Sequence, residues 1–285
     1  MKKLFYSLYA FFFNICRIFP VKENRIAFVA PHNGGECDSL GTLRSYVEKQ
    51  GGYEIVTIST RALKLDTSGV GALILSCLRA AGFFTLKAKA LATAKYVFLN
   101  DNFMPMASLR FSKDAVITQL WHAEGAFKKF GLSAPLTEDV AEREKKCSQN
   151  ITYIVCSSKN VAPIYAEAFG VDESKILPLG APRTDLLLCE KDVESVRRRF
   201  DDTHPECKGK KLILYAPTFR DSPEANKNLL SRIDMNKFNS LGDEYRLLIK
   251  LHPQINAGVT VDGAINVTNG HDIGELTLIC DMLIT

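Results

Sequence analysis

Gln119-Leu-Trp-His-Ala-Glu-Gly-Ala-Phe-Lys-Lys-Phe-Gly-Leu132 follows directly on the β-branched run Val116-Ile117-Thr118. The order predicts a buried strand that stops at His122, then a loop interrupted by Gly125 and Gly131, then a helix start. In an α/β protein, an imidazole just past a strand's carboxyl end lies where such folds bind ligands, and its ordinary titration range suits proton transfer near neutrality. A histidine that caps a strand or packs in a core reads the same way in isolation. The surrounding segments decide between the two.

Working outward, each neighbouring segment repeats the pattern of an apolar run ended by polar groups. Arg25–Ala30 reads as a strand closing on Pro31-His32-Asn33-Gly34-Gly35, followed by a helix over 39–50 and a strand over 53–58. The Asn33-Gly34-Gly35 turn lacks the GxGxxG spacing of a dinucleotide fingerprint. A long helical pattern covers 73–94, and the strand 96–99 ends at Asn100-Asp101-Asn102. Downstream come a charged helix over 137–149, a strand over 151–156 ending at Ser157-Ser158, and a helix over 160–169 stopped by Gly170. Pro182 fixes the turn before Arg183, whose rigid fork suits a phosphate. A second α/β unit begins with strand 211–216, closing on Pro217-Thr218-Phe219-Arg220-Asp221. It continues with a helix near 227–241, strand 245–251 ending at His252-Pro253, a short strand 264–267, helix 272–280 and strand 281–285. The chain stops inside that last strand, which reads as a fragment or truncated frame.

The polar residues that end these strands are His32, His122, Ser157, Ser158, Thr218, Arg220 and His252. In parallel sheets they all project from the carboxyl edge, and two such sheets across a linker make a cleft with basic and hydroxylic walls. That favours a phosphorylated ligand, with His122 on one side and Arg183, Arg220, Lys250 and His252 on the other.

Composition narrows the class. At 285 residues the chain is long enough for two α/β halves. A hydrophobic share of 46% and a charged share of 24% are those of a globular protein. The net charge of +4 comes with basic clusters at 128–129, 145–146, 197–199 and 208–211, which suit anionic lipid or polyanions. Zinc-finger spacing, RNP-type aromatics and long basic arms are missing, so nucleic acid is not an expected partner. The eight cysteines form no CxxC pair and several sit in apolar runs, as small hydrophobes do in a reducing cytosolic compartment. HExxH, GxSxG and GxxxxGK[ST] are absent, so no metal, serine-hydrolase or P-loop site is expected. The first 20 residues carry Lys2, Lys3 and Arg17 around an aromatic and aliphatic stretch too short to span a bilayer. They read as an in-plane amphipathic anchor on the inner leaflet, or as an apolar helix docked on its own domain.

Four motifs together carry a resemblance. Gln-Leu-Trp-His122 with Gly125 to Gly131, Gly180-Ala-Pro-Arg183-Thr-Asp185, Leu214-Tyr-Ala-Pro-Thr-Phe-Arg220-Asp221 and Lys250-Leu-His-Pro253 resemble, in the same order, the CDP-glycerol glycerophosphotransferase family of teichoic acid synthesis. The resemblance implies an α/β, GT-B-like fold of two Rossmann-like domains, the second truncated at its C-terminus before an Asp-Tyr-Ser-Ser motif. The expected division is an anchor over 1–20, an acceptor-side domain over 21–190, a linker and crossing helix over 191–210, and a nucleotide-binding domain over 211–285. It also implies peripheral attachment to the cytoplasmic face of the membrane, with CDP-glycerol and a lipid-linked acceptor as partners and no cofactor.

By the same resemblance, His122 is the general base, and His252 joins it as a catalytic group that offsets phosphate charge. Trp121, Ala123, Glu124, Gly125, Arg183, Pro217, Thr218, Arg220, Lys250 and Leu251 would contact CDP-glycerol. The family commonly has Gly after Trp-His, where this chain has Ala123 and then Glu124; a carboxylate there would stabilise an imidazolium or change which acceptor fits. Two rivals stand beside this reading. A GT-B glycosyltransferase using a nucleotide sugar would respond to a panel of UDP-sugars, and an inactive membrane-surface binding protein would float with liposomes without releasing CMP.

Overall fold

The computed structural model describes residues 2–31, 38–63, 65–123, 125–185, 193–218, 229–252 and 262–285. The expected turn at His32 to Gly35, Glu124, Phe219 to Asp221 and Pro253 lie outside the described residues. Two compact units divide the chain, Met1–Asp185 and Leu186–Thr285.

In the first unit, β1 (Lys22–Ala30), β2 (Glu54–Ser59), β3 (Ala94–Leu99), β4 (Val116–Gln119), β5 (Tyr153–Val155) and β6 (Ile176–Leu177) form one sheet in the order β2-β1-β3-β4-β5-β6. Every pairing is parallel. Residues 25–30 of β1 are buried without alternation, as expected of an inner parallel strand covered on both faces. Helix α2 (Ser39–Gln50) starts where Asp38 accepts from the backbone of Gly41, an N-cap that satisfies an otherwise orphaned N–H. Helices α5 (Glu138–Gln149) and α6 (Ala162–Phe169) join β4, β5 and β6, and Gly170 ends α6 at φ 63°. The helix start expected after the Trp-His pair is not formed. A short 3-10 turn at Gly131–Ser133 follows, because the two glycines and the docking of Phe130 on α6 favour an irregular loop.

The crossover from β2 to β3 runs through α3 (Val70–Gly82), a π turn (Phe83–Lys87) and α4 (Ala88–Ala92). Its 23 residues are long and apolar enough to cross a membrane. Its second half nevertheless belongs to the domain core, where Phe83, Ala88, Leu91 and Ala92 are buried. Its first half leaves Val70, Leu73, Ile74, Leu75 and Leu78 exposed. Helix α1 (Lys2–Cys16) lies against the buried half, with Tyr9 and Phe13 fully enclosed and Phe5 packed on Phe83 and Phe84. At 100° per residue, Leu4, Leu8, Phe11 and Ile15 form a separate stripe, and all four are exposed. This helix docks on its own domain and also presents an exposed apolar face.

The second unit holds β7 (Lys211–Tyr215), β8 (Tyr245–Ile249), β9 (Ala264–Asn266) and β10 (Met282–Ile284) in the parallel order β10-β7-β8-β9. Helix α7 (Val193–Thr203), within the segment expected to be a linker and crossing helix, packs Val196 and Phe200 into this unit's core. Its Arg199 pairs with Glu275 of α8 (Ile273–Ile279). An amphipathic helix with apolar residues four apart buries that face against the nearest sheet.

Candidate active site

The strand order of the first sheet reverses between β1 and β3, and ligands of open α/β sheets bind beyond the carboxyl ends at such a reversal. Asp38 follows β1, Asn100 and Asp101 follow β3, and Trp121 and His122 follow β4. The parallel register sets Leu99 beside Gln119, which brings the two polar strand ends together.

Gln119 is 1% exposed and uses both ends of its amide. Its Nε2 donates to the Asp101 carbonyl (3.2 Å), and its Oε1 accepts from the Trp121 N–H (3.0 Å). Trp121 is the one non-glycine residue at positive φ among the described residues, at 59°. For a bulky side chain that backbone costs about 1–2 kcal/mol, and such outliers concentrate at functional sites. The indole is buried against Phe130 and Phe169, with ring centroids 5.2 Å away in each case. The turn it makes sends His122 outward. The imidazole lies over the Trp121 ring at 4.2 Å between centroids, with 55% of the side chain exposed. Its Nδ1 is 3.3 Å from the Asn100 carbonyl and 4.0 Å from Asp101 Oδ2.

The remaining first-unit candidates attach to this cluster. The carbonyl of Ala123 accepts from the Tyr165 hydroxyl on α6, and Gly125 is half-buried in the same loop. The backbone N–H of Arg183, in the 3-10 turn Pro182–Thr184, donates to Ser39 Oγ (3.3 Å) at the start of α2. Asp38 both caps α2 and accepts from Asn100 Nδ2 (3.0 Å), so a continuous chain of contacts runs from Arg183 to His122.

In the second unit the candidates again gather at one carboxyl edge. The strand order changes direction beside β7, and Pro217 and Thr218 follow β7 while Lys250, Leu251 and His252 follow β8. Pro217 and Leu251 are buried, whereas Thr218 and His252 are exposed. Lys250 is tied down: its Nζ donates to the carbonyls of Thr268 (2.9 Å) and His271 (2.5 Å). Burial pushes its titration below the ordinary lysine range. Thr268 Oγ1 also accepts from the Leu251 N–H (3.0 Å), so the loop after β9 braces the end of β8. Behind that loop, the His204 and His271 Nε2 atoms are 3.0 Å apart, and burial holds the His271 imidazole below its usual range. Arg220 and Glu124 lie outside the described residues. Among the described residues, no group of three or more His, Cys, Asp or Glu side chains is placed to hold a metal.

Sequence reasoning singled out His122 but missed Asn100, Asp101, Gln119 and Asp38, which hold it. Polar residues at the end of β3 were the available signal.

A family model described as CDP-glycerol:poly(glycerophosphate) glycerophosphotransferase matches residues 10–285. The whole chain is 30% identical to the teichoic acid poly(ribitol-phosphate) polymerase of Bacillus spizizenii, covering 45% of that protein. It is 28% identical to the teichoic acid glycerol-phosphate primase of Bacillus subtilis over 88% of this chain and 66% of that protein. The chain spans about half the length of the first curated relatives it matches. A solved structure of the wall teichoic acid polymerase TagF shares its fold at a TM-score of 0.74 and 23% identity, over 98% of this chain and 69% of that one. The fold is thus the GT-B-like α/β type expected, with two Rossmann-like units. Taken with a match over nearly the full sequence, these findings make the chain a member of the CDP-glycerol:poly(glycerophosphate) glycerophosphotransferase family.

Proposed function

We propose that this chain transfers glycerol phosphate from CDP-glycerol to a hydroxyl of a membrane-linked teichoic acid precursor or polymer, releasing CMP. The observation that carries the reading is an outward-facing His122, anchored through one ring nitrogen at the reversal point of a parallel sheet in a member of this family. His122 takes the proton of the acceptor hydroxyl, whose oxygen attacks the β-phosphorus bearing the glycerol. The bond from that phosphorus to the bridging oxygen breaks, and CMP departs with the electron pair. Arg183, Arg220 and His252 offset the charge on the transferring and leaving phosphates. Trp121, Ala123, Glu124, Gly125, Pro217, Thr218, Lys250 and Leu251 complete the donor contacts. Lys250 serves chiefly by fixing the loop after β9, since an ammonium with two carbonyl partners keeps one further N–H.

A ribitol phosphate donor is the second reading, favoured by the match of this whole chain to part of a poly(ribitol-phosphate) polymerase. Radiolabelled CDP-glycerol and CDP-ribitol, each offered with a lipid-linked acceptor, separate the two by which one yields CMP. His122→Ala is expected to abolish transfer while sparing donor binding. Full transfer by that variant removes the proposed base.

The chain works at the cytoplasmic membrane surface as a peripheral protein. The exposed Leu4, Leu8, Phe11 and Ile15 stripe of α1 and the exposed first half of the crossover helix support this, as do the exposed Arg17, Arg79 and Lys89 nearby. Apolar side chains flanked by cations suit the boundary of an anionic leaflet.

A further inference from the structure

A carbonyl oxygen can only accept a hydrogen bond, so the contact between His122 Nδ1 and the Asn100 carbonyl requires the proton on Nδ1. In the neutral ring that leaves Nε2 as the lone-pair nitrogen. The Asp101 carboxylate stands 4.0 Å from the same Nδ1. It is not a chance neighbour, because two bonds fix Asp101 and a third ties its partner Gln119 to the Trp-His loop. Its Oδ1 accepts from the Asn102 N–H (2.7 Å), its carbonyl accepts from Gln119, and Gln119 also holds the backbone of Trp121. One buried amide therefore sets the spacing between the carboxylate at the end of β3 and the imidazole at the end of β4.

We propose that Asp101, registered by Gln119, is the positioning carboxylate of His122: with the Asn100 carbonyl it keeps the proton on Nδ1 and presents Nε2 as the proton acceptor. The Trp121 ring closes one face of the imidazole, so rotation away from this arrangement would give up both the stacking and the hydrogen bond. This inference deepens the reading of His122 as general base and rests on it.

The test uses the 15N-labelled chain and long-range proton–nitrogen spectra of the imidazoles. The sequence has five histidines, and the His122→Ala spectrum identifies which signal belongs to His122. In the unaltered chain that signal should show the Nδ1–H tautomer. Asp101→Ala should shift it toward the Nε2–H form. Asp101→Asn, which preserves size and supplies an N–H facing Nδ1, should shift it further. Transfer should fall by about 10²- to 10⁴-fold in kcat, as when a triad carboxylate is removed, with the KM for CDP-glycerol little changed. An unchanged tautomer in the near-isosteric Asp101→Asn variant overturns the proposal whatever happens to the rate. A shifted tautomer upholds the positioning role, and the His122→Ala assay separately decides whether the positioned group is the base.

Discussion

Replacing Gly131 by alanine isolates how the Trp-His loop is held, because a second glycine nearby supplies a matched control. Gly131 has φ +53°, and a Cβ built there would lie 2.2 Å from the Ala168 carbonyl oxygen of α6. Gly170 has φ +63°, but its Cβ would meet only the Leu132 side chain, with Cδ1 nearest at 2.5 Å. Both substitutions incur the left-handed penalty of about 1–2 kcal/mol for an L-residue. The end of a leucine side chain can rotate aside, whereas a helix carbonyl in the last turn cannot. Gly131→Ala therefore adds an overpacking cost of about 1–3 kcal/mol. Its total is roughly 2–5 kcal/mol, against about 1–2 for Gly170→Ala. Urea unfolding followed by tryptophan fluorescence reads this directly, since Trp121 is the chain's single tryptophan and packs against Phe130, next to Gly131. With a urea slope of about 1–3 kcal/mol per molar, the Gly131→Ala midpoint should fall by about 1 M or more, well below that of Gly170→Ala. Equal midpoints, or a more stable Gly131→Ala, would refute the claim that this loop is pinned to α6 through a backbone contact.

Two further outcomes follow from the first unit. Glu54 receives hydrogen bonds from Arg25 (2.6 Å) and Lys22 (3.1 Å), which hold its carboxyl below the ordinary value of 4.5. A depressed carboxylate contributes stability that is complete above the unfolded value and lost as pH falls through the lower folded one. Glu54→Gln should thus be less stable than the parent at neutral pH, with the difference shrinking as pH falls below 4.5; a gap that does not change with pH would contradict the ion pair's role. For membrane attachment, Leu8→Glu with Phe11→Glu on α1, or Ile74→Glu with Leu78→Glu on α3, alters side chains that are exposed in the fold. Each lost insertion removes about 1.5–3 kcal/mol of apolar burial, so flotation with phosphatidylglycerol vesicles should fall at least about 10²-fold per pair. Unaltered flotation in both double variants would exclude these faces as the attachment surface.

The strands could be read from the sequence because inner parallel strands are continuous apolar runs, and Val116 to Gln119 or Leu212 to Tyr215 have few other readings. Helix α2 fell on its expected 39–50 span because Asp38 is a good N-cap and Gly51 a good terminator. Helix α1 was harder. Apolar and aromatic side chains point in nearly every direction around it, so periodicity cannot tell which face packs on Phe83 and which is left outside. Asp101 and Gln119 were invisible as partners of His122 for another reason. Their meeting depends on the β3–β4 register, which is a property of strand pairing and leaves no local mark in either segment. The direction of Lys250 was lost in the same way, since the carbonyls it binds lie in a loop 18 and 21 residues further on.

Trp121 shows why the site resists local reading. Its backbone occupies the left-handed region, and its buried Nε1–H has no hydrogen-bond partner among the described residues. The strain of about 1–2 kcal/mol and an unsatisfied buried donor at about 1–3 kcal/mol both fall on one residue. Glycine would relieve the first and phenylalanine the second. Neither would keep both a broad ring under the imidazole and a rigid contact with Phe130 and Phe169, and Gln119 clamps the strained peptide from behind. A sequence shaped by stability alone would have no use for tryptophan at this position. Its presence one residue before the exposed histidine is what a fold pays to aim the proposed proton acceptor outward from the edge of a buried sheet.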